Sequence, residues 1–268
     1  MQKFAFYFSF CITFAEGQNM HIIMRNYLST HYPNFKPLRQ KIVVLTGAGI
    51  SAESGLATFR DDNGLWKKND AMKMASAAAF YENPEVVLDF YNQRRKELLH
   101  TMPNQAHYLL AELEQWHDVT IITQNVDDLH ERAGSTHVIH LHGELTKVTS
   151  SENRLNPECI KQYPLDIPIR KGDKAADGSQ LRPFIVWFGE YVSGMEAVIN
   201  HAKDADIFVI IGTSLQVQPA ANILKYVHWE VPKFIIDPHL TSMPANFTHI
   251  KEVATKGLER LVELLALL

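Results

Sequence analysis

From residue 41 onward, short continuous apolar runs alternate with longer segments of mixed polarity. The runs are Ile42-Val43-Val44-Leu45, Val119-Thr120-Ile121-Ile122, Ile207-Phe208-Val209-Ile210-Ile211 and Lys233-Phe234-Ile235-Ile236. A run that is apolar throughout, rather than at every second position, suits a strand covered on both faces. Helical patterns lie between the runs, over residues 105–115 and 219–227, with a last one near 258–265. Strand and helix in alternation predict an α/β fold, a Rossmann-like parallel sheet with helices on both faces. Two stretches break the alternation: residues 61–103 are mostly helical in pattern, and residues 147–183 are polar, punctuated by proline and aperiodic. Both read as insertions that build a smaller module. The core then spans about 39–60, 104–146 and 184–268.

Residues 1–38 read as an N-terminal extension. Lys3 precedes an apolar run from residue 4 to residue 15, which is shorter than the roughly 20 residues a membrane-crossing helix needs. The run has the length of a signal-peptide core, with Thr13 and Ala15 as a loose small-residue cleavage pattern. The alternative, preferred here, is that translation starts at Met20 or Met24 and the preceding stretch is an upstream extension. The expected location is therefore cytoplasmic.

Composition narrows the classes. With 268 residues, 46% hydrophobic and 21% charged, the chain is neither disordered nor fibrous. A net charge of −4 offers no bulk attraction for nucleic acid or an anionic membrane surface. Cys11 and Cys159 are the only cysteines, too few for a disulfide scaffold or a four-cysteine zinc site.

The first run ends in Gly47-Ala48-Gly49-Ile50-Ser51-Ala52. This matches G-x-G-x-x-G/A between a strand and a candidate helix, where glycines let backbone amides approach a pyrophosphate. No strand-end acid follows about 20 residues on to hold a ribose diol, since Asp61 and Asp62 come too soon. Hydride transfer is disfavoured on that ground.

Further blocks follow in order: Ser51-Ala52-Glu53-Ser54-Gly55-Leu56-Ala57-Thr58-Phe59-Arg60, Gly64-Leu65-Trp66, Thr123-Gln124-Asn125-Val126-Asp127, His142-Gly143, Val186-Trp187-Phe188-Gly189-Glu190 and Gly212-Thr213-Ser214. Together they resemble the sirtuin family of NAD-dependent protein deacylases, from about residue 41 to the C-terminus. Ala57 stands where that family usually has proline, and Gln218 where tyrosine is common.

The resemblance implies that NAD is consumed as a co-substrate and that acylated-lysine proteins or peptides are the partners. It places Gly47, Ala48, Gly49 and Ala52 on the pyrophosphate, with Gly212, Thr213 and Ser214 on the opposite lip. Thr58, Phe59 and Arg60 would lie in a mobile loop, Phe59 covering the ribose. Gln124, Asn125 and Asp127 would serve the cofactor, the last two binding the nicotinamide carboxamide. Asp237 would sit near the adenosine ribose and Ala254 near the adenine. His142 is implied as the general base, an imidazole being largely free to accept a proton at neutral pH. His137 and His140 are its neighbours, and His130 reads as structural. The substrate peptide would run as an extended strand between Val186, Phe188, Gly189 and Glu190 on one side and Leu215-Gln216-Val217 on the other. Trp187 and Phe188 read equally well as core.

Asn83 can cap a helix that opens with Pro84. On that helix Tyr91 and Arg94 share a face, and a guanidinium beside a phenol suits a carboxylate. The pair matches the Y-x-x-R signature of class III sirtuins, whose pockets take succinyl, malonyl or glutaryl lysine. Ala75 matches that class's small pocket residue. Arg95 points about 100° away and is expected to take no part.

Most sirtuins hold a structural zinc with four cysteines in the small module. Their positions fall here on Ser150, Asn153 and Asp177 with Cys159 alone, so no metal is expected. The module would be held by packing from Leu155, Ile160, Tyr163 and Ile167. Two alternatives stand beside deacylation: mono-ADP-ribosyl transfer from the same NAD site, and a non-catalytic NAD-binding module.

Overall fold

The computed structural model describes residues 39–57, 74–215, 217–240 and 242–265. The strands are β1 (Lys41–Thr46), β2 (Asp118–Thr123), β3 (Val138–His140), β4 (Gly143–Ser150), β5 (Lys161–Gln162), β6 (Leu181–Ile185), β7 (Ile207–Ile211), β8 (Lys233–Ile236) and β9 (Thr248–Ile250). The helices are α1 (Ala77–Glu82), α2 (Pro84–His100), α3 (Gln105–Leu113), α4 (Leu129–Ala133), α5 (Met195–Lys203) and α6 (Ala254–Leu265).

Six strands form one parallel sheet in the order β3-β2-β1-β7-β8-β9. Each apolar run lies where the pattern places it. In β1 and β2 every residue after the first is buried. Alternate residues face opposite sides. Val43, Leu45, Phe208, Ile210 and Ile235 pack with Val198 and Ala202 of α5 and with Ala220 and Ile223. On the other face Ile236 meets α6, where Gly257 lies against it. The 219–227 pattern winds as a 3-10 segment, Ala220–Tyr226, that starts on Pro219 without a side-chain cap.

The smaller module carries an antiparallel sheet, β5-β4-β6, with a bulge between Glu144 and Val148. Its core joins Val148, Cys159, Ile169, Ala175, Leu181 and Ile185 to Phe80, Leu88, Tyr91 and Trp187. This corrects the expected packing. Leu155 and Ile167 are exposed, and Ile160 lies at the rim, because the loop folds around Cys159 and Ile169 instead. Tyr163 does pack, half-buried, against that core. Asn83 caps α2 as anticipated, its side chain accepting from the Val86 amide, and Pro84 opens the helix. Core and insertions belong to one unit, Gln40–Leu268. Among the described residues no helix is long and apolar enough to cross a membrane.

Candidate active site

The strand order reverses direction between β1 and β7, and at such a switch point the loops leaving the strands' C-terminal ends open a crevice. Those loops carry the glycine motif after β1, Gln124-Asn125-Val126-Asp127 after β2 and Gly212-Thr213-Ser214 after β7. The Gly47 amide donates to the Ile211 carbonyl at 3.0 Å and the Gly49 amide to the Gly212 carbonyl at 2.9 Å. Gly49 and Gly212 must both lack side chains, because a Cβ on Gly49 would come within 2.5 Å of the Gly212 Cα and Gly212 has φ +61°. Among the described residues the expected regular helix after the glycines is absent. Two short 3-10 turns, Ala48–Ile50 and Ala52–Ser54, follow instead, ended by Gly55 at φ +90°.

Asn125 and Asp127 are brought together, with Ser51 between them. Asn125 Nδ2 donates to the Gly47 carbonyl at 3.1 Å and to Ser51 Oγ at 3.2 Å, and Ser51 Oγ donates to Asp127 Oδ2 at 3.0 Å. Asp127 Oδ1 accepts the Leu129 amide. Burial pushes the Asp127 carboxyl up to about 6, against the opposing pull of the Leu129 amide and the Ser51 hydroxyl. Sequence reasoning assigned Ser51 no role; its place in the glycine motif was the available signal. Gln124 Nε2 donates to Thr213 Oγ1 at 3.0 Å and so ties the β2 loop to the β7 loop.

His142 ends the short segment between β3 and β4. Its Nδ1 lies 3.0 Å from the Gln124 carbonyl. A carbonyl only accepts, so Nδ1 carries the proton and Nε2 presents its lone pair. Burial lowers its pKa, with the Gln124 carbonyl opposing in part, and the ring is a neutral base at pH 7. Gly143, at φ +80°, turns the chain out of this position, and a Cβ there would strike the Phe184 carbonyl. His140 is engaged elsewhere, with Nε2 2.7 Å from Glu131 Oε1 and Nδ1 3.2 Å from the Asn125 carbonyl. His130 is fully buried against Thr46 and His107, as a structural residue would be.

On the adenosine side, Asp237 is buried after β8 and accepts the His239 amide, while Ala254 is buried at the start of α6. Ala48, Ala52, Ser214 and Val217 are half-buried at the crevice rim. Thr58, Phe59, Arg60 and Gln216 lie outside the described residues. The polar groups of Asn125, Asp127, Thr213 and Asp237 are buried together at one end of the sheet, a donor and acceptor set that fits a dinucleotide.

The substrate segment reaches the helical insertion. The Phe188 amide donates to the Ala75 carbonyl at 2.8 Å, and Phe188 and Gly189 are exposed. The Val186 amide donates to the His142 carbonyl. Glu190, expected to meet the peptide, turns its carboxylate inward onto Arg182 at 2.6 Å and onto the Trp187 amide at 2.8 Å. Tyr91 is buried with its hydroxyl 3.0 Å from Trp187 Nε1. Arg94 gives Nε and Nη2 to Glu97 at 3.1 and 3.5 Å, while its buried Nη1 has no partner among the described residues. Arg95 turns away from the Tyr91–Arg94 pair. It is fully buried and donates to the carbonyls of Leu145 at 2.7 Å and Pro164 at 2.5 Å, clamping the module.

The positions that the family fills with zinc cysteines do not fit the metal. Ser150 Oγ lies 2.8 Å from Ser179 Oγ, which donates to Asp177 Oδ1 at 2.7 Å, and the Glu152 and Asn153 amides also donate to Ser150 Oγ. Hydroxyls already bonded to one another beside a single thiol do not make a thiolate set.

Fold and site together define a dinucleotide-binding α/β enzyme with one imidazole base at the crevice. The Sir2 family profile matches residues 47–219. An NAD-dependent protein deacylase of Bacteroides thetaiotaomicron is 52% identical over 229 residues, covering 84% of this chain and 98% of that protein. One from Helicobacter pylori is 48% identical over 225 residues, covering 83% and 96%. A solved Sir2 homologue–NAD complex superposes with TM-score 0.73 at 35% identity, covering 90% of this chain and 93% of the other. A Sir2–p53 peptide–NAD+ complex gives 0.68 at 30%, covering 85% and 94%. The chain belongs to the Sir2 family.

Proposed function

We propose that this NAD-dependent protein deacylase acts on lysines carrying acidic acyl groups (succinyl, malonyl or glutaryl) in protein or peptide substrates. One observation carries the acidic preference: among the described residues Arg94 Nη1 is buried without a partner while the rest of the guanidinium is held by Glu97. A buried N–H of a charged group left unpaired is costly, and a carboxylate at the end of an acyl chain supplies the missing acceptor. Ala75, small, and Tyr91, polar at its tip, belong to the same reading as acyl-pocket residues.

NAD supplies an electrophilic ribose carbon with nicotinamide as its leaving group. The remaining work falls to the chain. The loops bearing Gly47, Ala48, Gly49 and Ala52, with Gly212, Thr213 and Ser214 opposite, hold the pyrophosphate. Asn125 and Asp127, fixed by Ser51, offer the polar surface for the carboxamide, and Gln124, Asp237 and Ala254 complete the cofactor contacts. Thr58, Phe59 and Arg60 belong to the same reading as cofactor-binding residues. His142 Nε2 takes a proton from the ribose diol, held in the correct tautomer by the Gln124 carbonyl. Val186, Phe188, Gly189 and Val217 receive the extended substrate backbone.

The test is a comparison of kcat/KM for one peptide sequence carrying succinyl, malonyl, glutaryl or acetyl lysine. The reading expects at least about a tenfold preference for the acidic groups, the scale of one charge-assisted hydrogen bond. A preference for acetyl would overturn it.

A further inference from the structure

We propose that Trp187 is a positioning residue: its indole N–H fixes the Tyr91 hydroxyl so that the phenol proton is aimed at the acyl carboxylate. The proposal rests on the acidic-acyl reading above and deepens it. Trp187 Nε1 can only donate, and it donates to Tyr91 Oη at 3.0 Å. With a donor already entering that oxygen, the phenol proton cannot point toward the indole and must seek an acceptor elsewhere. Among the described residues Tyr91 donates to none. The buried phenol is kept neutral, its pKa raised by burial, so it stays a donor at working pH.

A buried tryptophan usually finds some partner for its N–H, and a backbone carbonyl would serve. Here the partner is the hydroxyl of the residue that faces the acyl group. Trp187 is itself held from three sides. Its ring lies 4.8 Å from Phe80, the Arg182 guanidinium carbon sits 3.2 Å above its centroid, and its amide donates to Glu190 Oε2 at 2.8 Å. Arg182 in turn grips both oxygens of Glu190, at 2.6 and 3.1 Å, and the Ile185 carbonyl at 2.6 Å. Arg182 is 2% exposed and Trp187 2% exposed, so water cannot substitute for these contacts. Arg182 stands on β6 of the antiparallel sheet, and Tyr91 on helix α2. Trp187 is the link by which that sheet sets the geometry of the acyl pocket.

The test uses the full chain with Trp187→Phe, Tyr91→Phe and the double variant, and reads kcat and KM separately on succinyl-lysine and acetyl-lysine peptides at saturating NAD. Trp187→Phe keeps an aromatic ring beneath Arg182 and beside Phe80 while it removes the N–H together with part of the indole's volume. It should raise KM for the succinyl peptide about five- to tenfold, the scale of one buried hydrogen bond, with acetyl kinetics within about twofold. The double variant should be no worse than Tyr91→Phe alone. Equal losses on both peptides would mark plain packing and overturn the proposal, as would additive losses in the double variant. A succinyl preference that depends on Tyr91 but survives Trp187→Phe would overturn this proposal alone. A wild type that does not prefer the succinyl peptide would overturn the acidic-acyl reading and this proposal with it.

Discussion

Arg94→Met separates acyl recognition from catalysis, and its magnitude follows from the contacts. The Arg94 side chain is 15% exposed and its guanidinium carbon lies 4.7 Å from the Phe90 ring centroid. Nε and Nη2 are already on Glu97, which leaves Nη1 for the substrate. The contact with an acyl carboxylate is therefore a single charge-assisted hydrogen bond rather than a bidentate fork. Such bonds contribute about 1.5–3 kcal/mol, and the Glu97 countercharge draws the value toward the lower end. A loss of about 2 kcal/mol is about 30-fold in kcat/KM. Methionine preserves the length of the apolar stem, and Glu97, 41% exposed, can return to water. The melting temperature should therefore fall by no more than about 4 °C. Progress curves on succinyl and acetyl peptides should show the 30-fold loss on the first and an unchanged or improved rate on the second. Equal losses on both, or no loss on succinyl, would refute the assignment.

His142→Ala should lower turnover by about 100- to 10,000-fold while NAD affinity, measured by calorimetry, stays within a few fold. Near wild-type turnover would remove His142 as the base. Arg95→Met should strand the buried Leu145 carbonyl and leave the exposed Pro164 carbonyl to water, at about 1–3 kcal/mol in total. That is a drop of about 2 °C or more in thermal melting for a chain of this size, and a melting curve like wild type would contradict it. The acid limb of kcat/KM should fall near pH 6. The Asp127 carboxyl, pushed up to about 6 by burial, takes up its proton on oxygens that the Ser51 hydroxyl and the Leu129 amide already occupy, while burial lowers the His142 pKa. Protonation of Asp127 as the pH drops should thus cost activity. Asp127→Asn should abolish this limb or move it downward, and an unchanged limb would assign it to another group.

The parallel core was legible because a strand buried on both faces leaves no polar position in its run, as in Ile42 to Leu45 and Ile207 to Ile211. The site's backbone was legible for a related reason, since Gly49 and Gly212 pack too closely for any side chain. What escaped sequence reasoning depends on contacts between distant segments. Arg94 and Arg95 are chemically alike neighbours, and only the carbonyls of residues 145 and 164 decide that Arg95 is the buried one. Glu190 read as a peptide contact because nothing local announces its pairing with Arg182. The small module lacks periodicity, so its core around Cys159 and Ile169 emerges only once the antiparallel sheet has formed. The glycine loop's 3-10 turns eluded a helix pattern because each is a single turn long.

The most direct measurement is the identity of the products. The enzyme is incubated with NAD and a succinyl-lysine peptide, and nicotinamide, free-lysine peptide and the ADP-ribose product are quantified by mass spectrometry. The account predicts that nicotinamide and deacylated peptide form one for one, with the succinyl group recovered on ADP-ribose. Nicotinamide release with the acyl-lysine intact and ADP-ribose attached to protein, or no consumption of NAD at all, would contradict it.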